Sequence, residues 1–251
     1  MLDAWRLSVG TLTALRVGHP SRVDRRTAGA AMLLAPLAVI PLGLLVGVIG
    51  WAGRELDLAP VAVAVVAVGA LATGSRALHL DGLSDVADAL TASYDRERSL
   101  EVMKGGTSGP AGSAALVLVL GLQVAALASV LSTPRGPVVA AVLVCASRAM
   151  LVVTCARGVP AAREGGLAAS YVGTVTPLVA VLSWVVVGAI AAGVLGWAGY
   201  EPWRGVVVAA AGLVVGAALT YRCVRRFGGV TGDVFGAAIE VSLATMLLGA
   251  T

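Results

Sequence analysis

The sequence predicts an all-α protein, a polytopic integral membrane helical bundle of about seven transmembrane helices with an amphipathic acidic helix on the cytoplasmic side. Apolar residues make up 58% of the 251 residues and charged residues only 13%, whereas soluble domains are about 45–50% apolar. Apolar runs long enough to cross a bilayer recur along the chain, and positive charge alternates between the segments that connect them. We expect the whole chain, residues 1–251, to form a single membrane domain.

The predicted spans are separated by short polar segments, except for one long connection at residues 79–110. They lie near residues 29–52, 58–78, 111–132, 137–156, 175–198, 205–221 and 234–250. The start, MLDAWRLSVGTLTALRVGHPSRVDRR, is basic and only weakly apolar. It lacks the uninterrupted apolar core of a secretory signal, so we expect it to stay attached. The three cysteines form no C-x-x-C pair and are predicted to be small buried residues.

Lysine and arginine placement predicts the orientation. With the amino terminus inside, thirteen basic residues fall in cytoplasmic segments and three on the opposite face, as the positive-inside rule requires. The three are Arg54, Arg135 and Arg204. The net charge of +4 therefore reports topology, and nucleic-acid binding is a poor interpretation of it. The sequence predicts a multi-pass protein of a prokaryotic-type inner membrane, with lipid as its surroundings, and leaves a homo-oligomer open.

The stretch HLDGLSDVADAL, residues 79–90, concentrates negative charge in an apolar chain. Asp81, Asp85 and Asp88 are spaced i, i+4, i+7, so on a helix they share one face. Carboxylates this close repel one another unless a cation neutralises them. Mg²⁺, which is usually held by one or two carboxylates and substrate phosphates, is the natural counter-charge. The alternative is a solvated acidic helix face.

A second polar group lies near the carboxyl end, in RRFGGVTGDVFGAAIEV. Asp233 follows a glycine-rich turn and either caps the last helix or takes part in the site. Glu240 lies seven residues further on, about 10 Å into an apolar run. A carboxylate at that depth is a functional-site hypothesis by default, and an ion pair with Arg148 is the structural alternative.

Two arginines lie within or beside predicted spans. Arg76 either extends to the interface or contacts substrate, and the sequence favours neither. Arg148 is about nine residues from the cytoplasmic end of its span, which favours a functional or ion-paired role. Lys104, in the stretch ERSLEVMKGGTSGPAG, is suited to act as a point charge on phosphate.

Taken in order, the motifs HLDGLSDVADAL, LEVMKGGTSGPAG, ARGVPAAREGG and RRFGGVTGDVFGAAIE resemble those of the cobalamin synthase family, the adenosylcobinamide-GDP ribazoletransferases. DRRTAGAAMLLAP near the amino terminus is also similar. The resemblance implies catalytic roles for Asp81, Asp85, Asp88 and Glu240, with the three aspartates also holding Mg²⁺. It implies substrate binding by a further set: Lys104, Arg148, Arg163, Gly229, Thr231, Gly232 and Asp233. Arg76, which precedes the acidic motif, is a further substrate-binding candidate by its position alone.

The resemblance also implies a reaction at the cytoplasmic face. The 3′-hydroxyl of α-ribazole or its 5′-phosphate attacks the phosphate bonded to cobinamide in adenosylcobinamide-GDP and expels GMP. The product is adenosylcobalamin or its 5′-phosphate. One aspartate is expected to accept the hydroxyl proton, and the sequence does not assign which.

Two other functions are weighed against this one. A transporter or ion-coupled carrier would use Glu240 and Arg148 along its pathway, but the paired halves typical of transporters are not found. A CDP-alcohol phosphotransferase-like enzyme also uses an aspartate array with Mg²⁺. Its D-x-x-D-G-x-x-A-R spacing is matched only at its start, by Asp85 to Ala89.

Overall fold

The computed structural model describes all residues, 1–251, and consists of helices joined by short connections. It contains two isolated β-bridges and no sheet. The helices are α1 (Leu2–Leu12), α2 (Arg25–Ala38), α3 (Ile40–Glu55), α4 (Pro60–Gly74), α5 (Leu78–Ala92), α6 (Arg96–Lys104), α7 (Pro110–Leu131), α8 (Gly136–Ser147), α9 (Met150–Thr154), α10 (Pro177–Ala198), α11 (Pro202–Phe227) and α12 (Gly232–Gly249). A 3₁₀ turn covers Leu167–Ser170. The predicted all-α class is confirmed.

Six helical segments are long and apolar enough to cross a membrane. They are Arg25–Glu55, Pro110–Leu131, Gly136–Thr154, Pro177–Ala198, Pro202–Phe227 and Gly232–Gly249. The first joins α2 and α3, and the third joins α8 and α9. A seventh segment is α4 followed by α5, which bends by 91° between the two helices. The prediction of about seven spans around an acidic helix is therefore confirmed.

The second predicted span, 58–78, ends four residues early. α4 stops at Gly74, and Arg76 and Ala77 then adopt left-handed backbone conformations with φ of 58° and 54°. Neither residue is a glycine. A left-handed backbone conformation ends a right-handed helix, and in a residue other than glycine it costs about 1–3 kcal/mol of backbone strain. The Arg76 guanidinium donates to the carbonyl of Gly10 at 2.7 Å, near the end of α1. This contact holds the bend and directs α5 into the bundle.

The predicted cytoplasmic segments meet at one end of the bundle. Arg96, at the start of α6, donates to the carbonyls of Phe227 at 2.7 Å and Ala162 at 3.1 Å. Arg226 donates to the carbonyl of Tyr94 at 2.6 Å. In the connections predicted for the opposite face, Arg135 stacks over the Trp197 ring at 4.8 Å. The end that carries α6 also carries the candidate site.

Candidate active site

A cavity of about 280 Å³ opens at this end of the bundle, between α1, α5, the 163–171 segment and the start of α12. Its polar and charged lining comes from separate parts of the sequence. These residues are Thr11, His79, Asp81, Arg163, Tyr171, Thr231 and Asp233. Leu12, Met32, Leu151, Val230, Phe235 and Ile239 supply most of the apolar wall. The two acidic motifs, far apart in sequence, therefore meet in one cavity.

Close packing of α5 on α12 brings these motifs together. A Cβ on Gly82 would lie 2.5 Å from the Asp233 carbonyl oxygen, and one on Gly236 would lie 2.8 Å from the His79 Cα. Only glycine fits at these two positions, because a Cβ atom would come closer to the backbone of the neighbouring helix than packed atoms approach one another. The backbones of α5 and α12 touch at these two points, which places Asp81 and Asp233 on the same cavity.

The three aspartates of α5 have different surroundings. Asp81 is exposed and lines the cavity, and Asp85 is half-buried one turn further along. Asp88 is buried, and its carboxylate accepts hydrogen bonds from the backbone N–H groups of Gly109 at 2.6 Å and Gly112 at 2.8 Å. A carboxylate at the start of a helix satisfies free N–H groups and the helix dipole. Asp88 therefore anchors the start of α7, and its role as a metal ligand stays a prediction.

The GGVTGD segment shapes the start of α12. The Thr231 hydroxyl accepts from the Val234 N–H at 3.4 Å and donates to the Asp233 carboxylate at 3.1 Å. Gly229 packs against the backbone of residues 160–162, and the N–H of Val230 donates to the Pro160 carbonyl at 2.9 Å. Thr231, Gly232 and Asp233 line the cavity, so a helix amino terminus, which favours anions, faces it. Gly229 lies behind them as a packing residue.

The predicted substrate-binding cations are spread over the same end of the protein. Arg163 lines the cavity and donates to the Leu100 carbonyl. Lys104 is exposed at the end of α6, outside the cavity lining. Arg76 is exposed, and its guanidinium is bound to α1 as described above. The structure thus gives Arg76 a role that neither of the two predicted alternatives contained: its guanidinium stabilises the bend between α4 and α5.

Glu240 and Arg148 lie in the protein interior, behind the cavity wall. Glu240 is 4% exposed, and its Oε2 accepts from Nε2 of Gln123 at 2.7 Å. Its Oε1 lies 3.5 Å from Nδ1 of His79, outside hydrogen-bond geometry. Arg148 is fully buried at the break between α8 and α9, where it donates to the Val144 carbonyl at 2.8 Å. Glu240 and Arg148 form no ion pair within 4 Å, so the alternative of a direct Glu240–Arg148 pair was wrong.

The residues that connect Glu240 to the cavity were missed by the sequence reasoning. His79 lines the cavity with one face and approaches Glu240 with the other. Gln123, a lone polar residue in an apolar run, is 1% exposed, and the rule that singled out Glu240 would have identified it. Tyr171 and Thr11 carried no distinguishing signal. Glu240 therefore lies beside a cavity residue, His79, without lining the cavity itself.

The carboxylates in and beside the cavity form no ion pair within the protein. The ion pairs found within 4 Å include none to Asp81, Asp85 or Asp233. No three His, Cys, Asp or Glu side chains come close enough to hold a metal ion by themselves. Hard oxygen donors from one or two carboxylates nevertheless suit a divalent cation that is completed by ligand phosphates. The cavity thus brings two carboxylates, Asp81 and Asp233, together with Arg163 and a helix amino terminus, without an ion pair among them.

Comparison with known proteins identifies the family of the chain. The cobalamin-5-phosphate synthase family model matches residues 4–251. The chain is 54% identical to the adenosylcobinamide-GDP ribazoletransferase of Nocardioides sp., with 99% of this chain and 98% of that one covered. It is 40% identical to the enzyme of that name from Frankia casuarinae (99% and 94% covered) and 34% identical to that of Pseudomonas putida (99% and 98%). No solved structure matches the chain. By these matches along its full length, the chain belongs to the cobalamin-5-phosphate synthase family of enzymes.

Proposed function

We propose that the chain transfers a cobinamide phosphate group from adenosylcobinamide-GDP to the 3′-hydroxyl of α-ribazole or its 5′-phosphate. The hydroxyl oxygen forms a new bond to the phosphorus that carries cobinamide, the bond from that phosphorus to GMP breaks, and the proton passes to a base. The observation that carries the proposal is the meeting of Asp81, Asp233 and the amino terminus of α12 in one cavity of a chain related to ribazoletransferases throughout its length.

The residues at the cavity divide into groups suited to a diphosphate. The N–H groups at the start of α12 and the Arg163 guanidinium are donors for non-bridging phosphate oxygens. Asp81, which lines the cavity, and Asp85, one turn further along α5, would hold Mg²⁺, with substrate phosphates as further ligands. When bound, such an ion offsets charge on the phosphates and on the departing GMP. The chain itself positions the phosphates against these carboxylates.

The size of the cavity limits what it can hold. Ligand pockets usually measure about 300–1,000 Å³, and this one, at about 280 Å³, is at the lower end. It accommodates a phosphate with part of its sugar, so we propose that the corrin ring lies outside the cavity. Lys104 is exposed outside the cavity lining, and it follows Met103, whose sulfur accepts from the Thr231 hydroxyl. It is then suited to the outer phosphate rather than to the reacting one.

One assay tests the proposed reaction. Purified protein in lipid vesicles receives adenosylcobinamide-GDP, α-ribazole 5′-phosphate and Mg²⁺, and GMP release and the corrinoid product are both measured. We expect equal amounts of the two products, and loss of both when a chelator removes Mg²⁺. Folded protein that releases no GMP and forms no corrinoid product would contradict the proposal. Turnover that persists in the chelator would contradict the Mg²⁺ requirement alone.

Glu240 offers a test of the buried contacts behind the cavity. We expect Glu240→Gln to lower turnover about ten- to a hundredfold, the usual effect of losing a charged group that orients a site residue. The amide keeps the shape and one acceptor for Gln123, so the midpoint of thermal unfolding in detergent should change little. A large loss of stability together with loss of activity would instead show that Glu240 holds the bundle together.

We further propose that the end carrying the cavity faces the cytoplasm, as the charge asymmetry predicts. Cysteines are introduced singly as Lys104→Cys and Arg204→Cys, with the three native cysteines replaced by alanine. A membrane-impermeant maleimide added to intact cells should label position 204 and miss position 104, and permeabilised cells should show labelling at both. The reverse pattern in intact cells would invert the proposed orientation.

A further inference from the structure

We propose that His79 is a further substrate-binding residue, whose Nε2 accepts a hydrogen bond from the attacking 3′-hydroxyl. Two buried side chains behind it, Glu240 and Gln123, keep the ring proton on Nδ1 and thereby leave Nε2 as an acceptor. This role rests on the reaction proposed above, because it assigns a partner to the nucleophile of that reaction. His79 orients the hydroxyl, and the base that removes the proton is a separate group.

The His79 side chain lies between the cavity and the protein interior. It lines the cavity, although the residue is only 5% exposed. Its Nδ1 is buried and has no hydrogen-bond partner. Its Nε2 forms no hydrogen bond to the protein either, but it is not closed off as Nδ1 is, so Nε2 is the nitrogen that faces the cavity. The ring therefore turns one nitrogen to the interior and offers the other to a ligand.

The interior nitrogen faces a carboxylate. Oε1 of Glu240 lies 3.5 Å from Nδ1 of His79, and both side chains are buried. A carboxylate is an acceptor only. A proton on Nδ1 is therefore attracted to it, whereas a lone pair on Nδ1 would be repelled, and both effects are strong where water is excluded. The group that one ring nitrogen faces sets which nitrogen carries the proton. Glu240 thus favours the tautomer in which Nδ1 is protonated and Nε2 accepts.

Two further contacts fix this orientation. Nε2 of Gln123 donates to Oε2 of Glu240 at 2.7 Å, which leaves Oε1 for His79. The backbone of His79 is held against α12, because a Cβ on Gly236 would lie 2.8 Å from the His79 Cα. A group that is held in place before the ligand arrives loses little conformational freedom on binding. Nε2 is therefore a preorganised acceptor at the cavity wall.

The chemistry of Nε2 favours a hydroxyl over a phosphate. A nitrogen lone pair repels the anionic oxygens of a phosphate and needs a donor. The phosphate oxygens have donors elsewhere at the cavity, in Arg163 and in the N–H groups at the start of α12. In a cavity that holds a phosphate and part of its sugar, the sugar hydroxyls are the donors. When Nε2 accepts the hydrogen of the attacking hydroxyl, an oxygen lone pair stays free to face phosphorus, as a near-attack geometry requires.

Nitrogen NMR tests the tautomer without any substrate. The chain has two histidines, His79 and the exposed His19, so isotope-labelled histidine gives two ring systems, and His79→Asn assigns them. We expect the proton of the His79 ring on Nδ1, with Nε2 unprotonated. In Glu240→Gln the amide oxygen should keep the contact with Gln123 and the amide NH₂ should face Nδ1, which moves the proton to Nε2. A neutral ring with its proton on Nε2 in the parent protein would overturn the proposal.

Equilibrium binding tests the partner of Nε2. α-Ribazole 5′-phosphate and its 3′-deoxy analogue are titrated separately into the full-length protein in lipid vesicles with Mg²⁺ and without adenosylcobinamide-GDP, so no reaction occurs. We expect the hydroxyl to strengthen binding about tenfold, the scale of one hydrogen bond. His79→Asn, whose shorter amide replaces Nδ1 but not Nε2, should lose this preference. His19→Asn, the same substitution at the exposed histidine, should keep it.

The outcomes separate the role of His79 from the proposed reaction. A parent protein that binds the two compounds equally, or a His79→Asn protein that keeps the preference, would overturn the role of His79 and leave the reaction standing. Folded parent protein that binds neither compound would contradict the proposed reaction, and the role of His79 with it. The comparison of the two compounds in the parent needs no variant, so it decides the question even where His79→Asn fails to fold.

Discussion

Asp81→Asn is expected to reduce turnover by at least about a hundredfold, the scale on which removing one preorganised charged group lowers a rate. Asp81 lines the cavity and is exposed to it, and it forms no ion pair within the protein. The variant has nearly the same volume, so the effect should fall on the reaction and on Mg²⁺ affinity rather than on folding. GMP release measured against Mg²⁺ concentration checks this result.

Asp57→Asn is the matched control for this substitution. Asp57 is exposed after α3, and its φ of 50° lies in a region that asparagine accepts readily. We expect the control to keep the full rate and the same thermal midpoint. An Asp81→Asn protein with unimpaired turnover would remove Asp81 from the reaction and with it the proposed ion site.

Gly82→Ala is expected to lower turnover about tenfold or more, although no functional group is removed. The new methyl would meet the Asp233 backbone, with its carbonyl oxygen at 2.5 Å and its Cα at 2.8 Å. Backbone atoms cannot rotate away as a side chain does, so α5 and α12 must separate. Overpacking of this kind costs about 1–3 kcal/mol, and a displacement of about 1 Å at a reacting group can reduce a rate a hundredfold. Turnover and thermal unfolding are measured together.

Gly121→Ala supplies the comparison, because a Cβ at this position on α7 would meet nothing within 4 Å. This control should keep its activity and be as stable as the parent or slightly more so, since alanine favours helix. If the two alanine variants behaved alike, the close packing of α5 on α12 would not be what aligns the two acidic motifs.

Hydropathy and charge were sufficient to predict the membrane-spanning helices, because a bilayer requires apolar segments of a minimum length. The short helices α1 and α6 were not predicted. The acidic helix was predicted from the spacing of its aspartates, and the family resemblance implied that the GGVTGD segment also carries site residues. The end of α4 could not be predicted, since Ser75, Arg76 and Ala77 carry no glycine or proline to mark the left-handed bend. That bend is imposed by a tertiary contact, the hydrogen bond from Arg76 to α1.

The site residues also divide into those that the sequence predicted and those that depend on tertiary contacts. Asp81 and Asp233 were predicted, and the structure places both at the cavity. Asp88 shares the predicted helix face, because spacings of four and seven residues fall within an arc of about 60° on a helix. The two ends of that face still meet different neighbours, and here one end meets α7. Glu240 was identified by its depth in an apolar run. Its neighbours His79 and Gln123 lie on other helices, so the spacing of residues along α12 could not reveal them. Periodicity within one helix contains no information about such partners.

The contact that holds the bend also links the end of the bundle that carries the cavity to the membrane surface. α1 crosses nothing, yet its last residues accept the Arg76 guanidinium and supply Thr11 and Leu12 to the cavity wall. Trp5 and Leu2 on the same helix are exposed apolar side chains, which favour the lipid headgroup boundary. A change in lateral pressure or lipid packing that tilts α1 would therefore displace the start of α5, the acidic helix, through the hydrogen bond from Arg76 to Gly10.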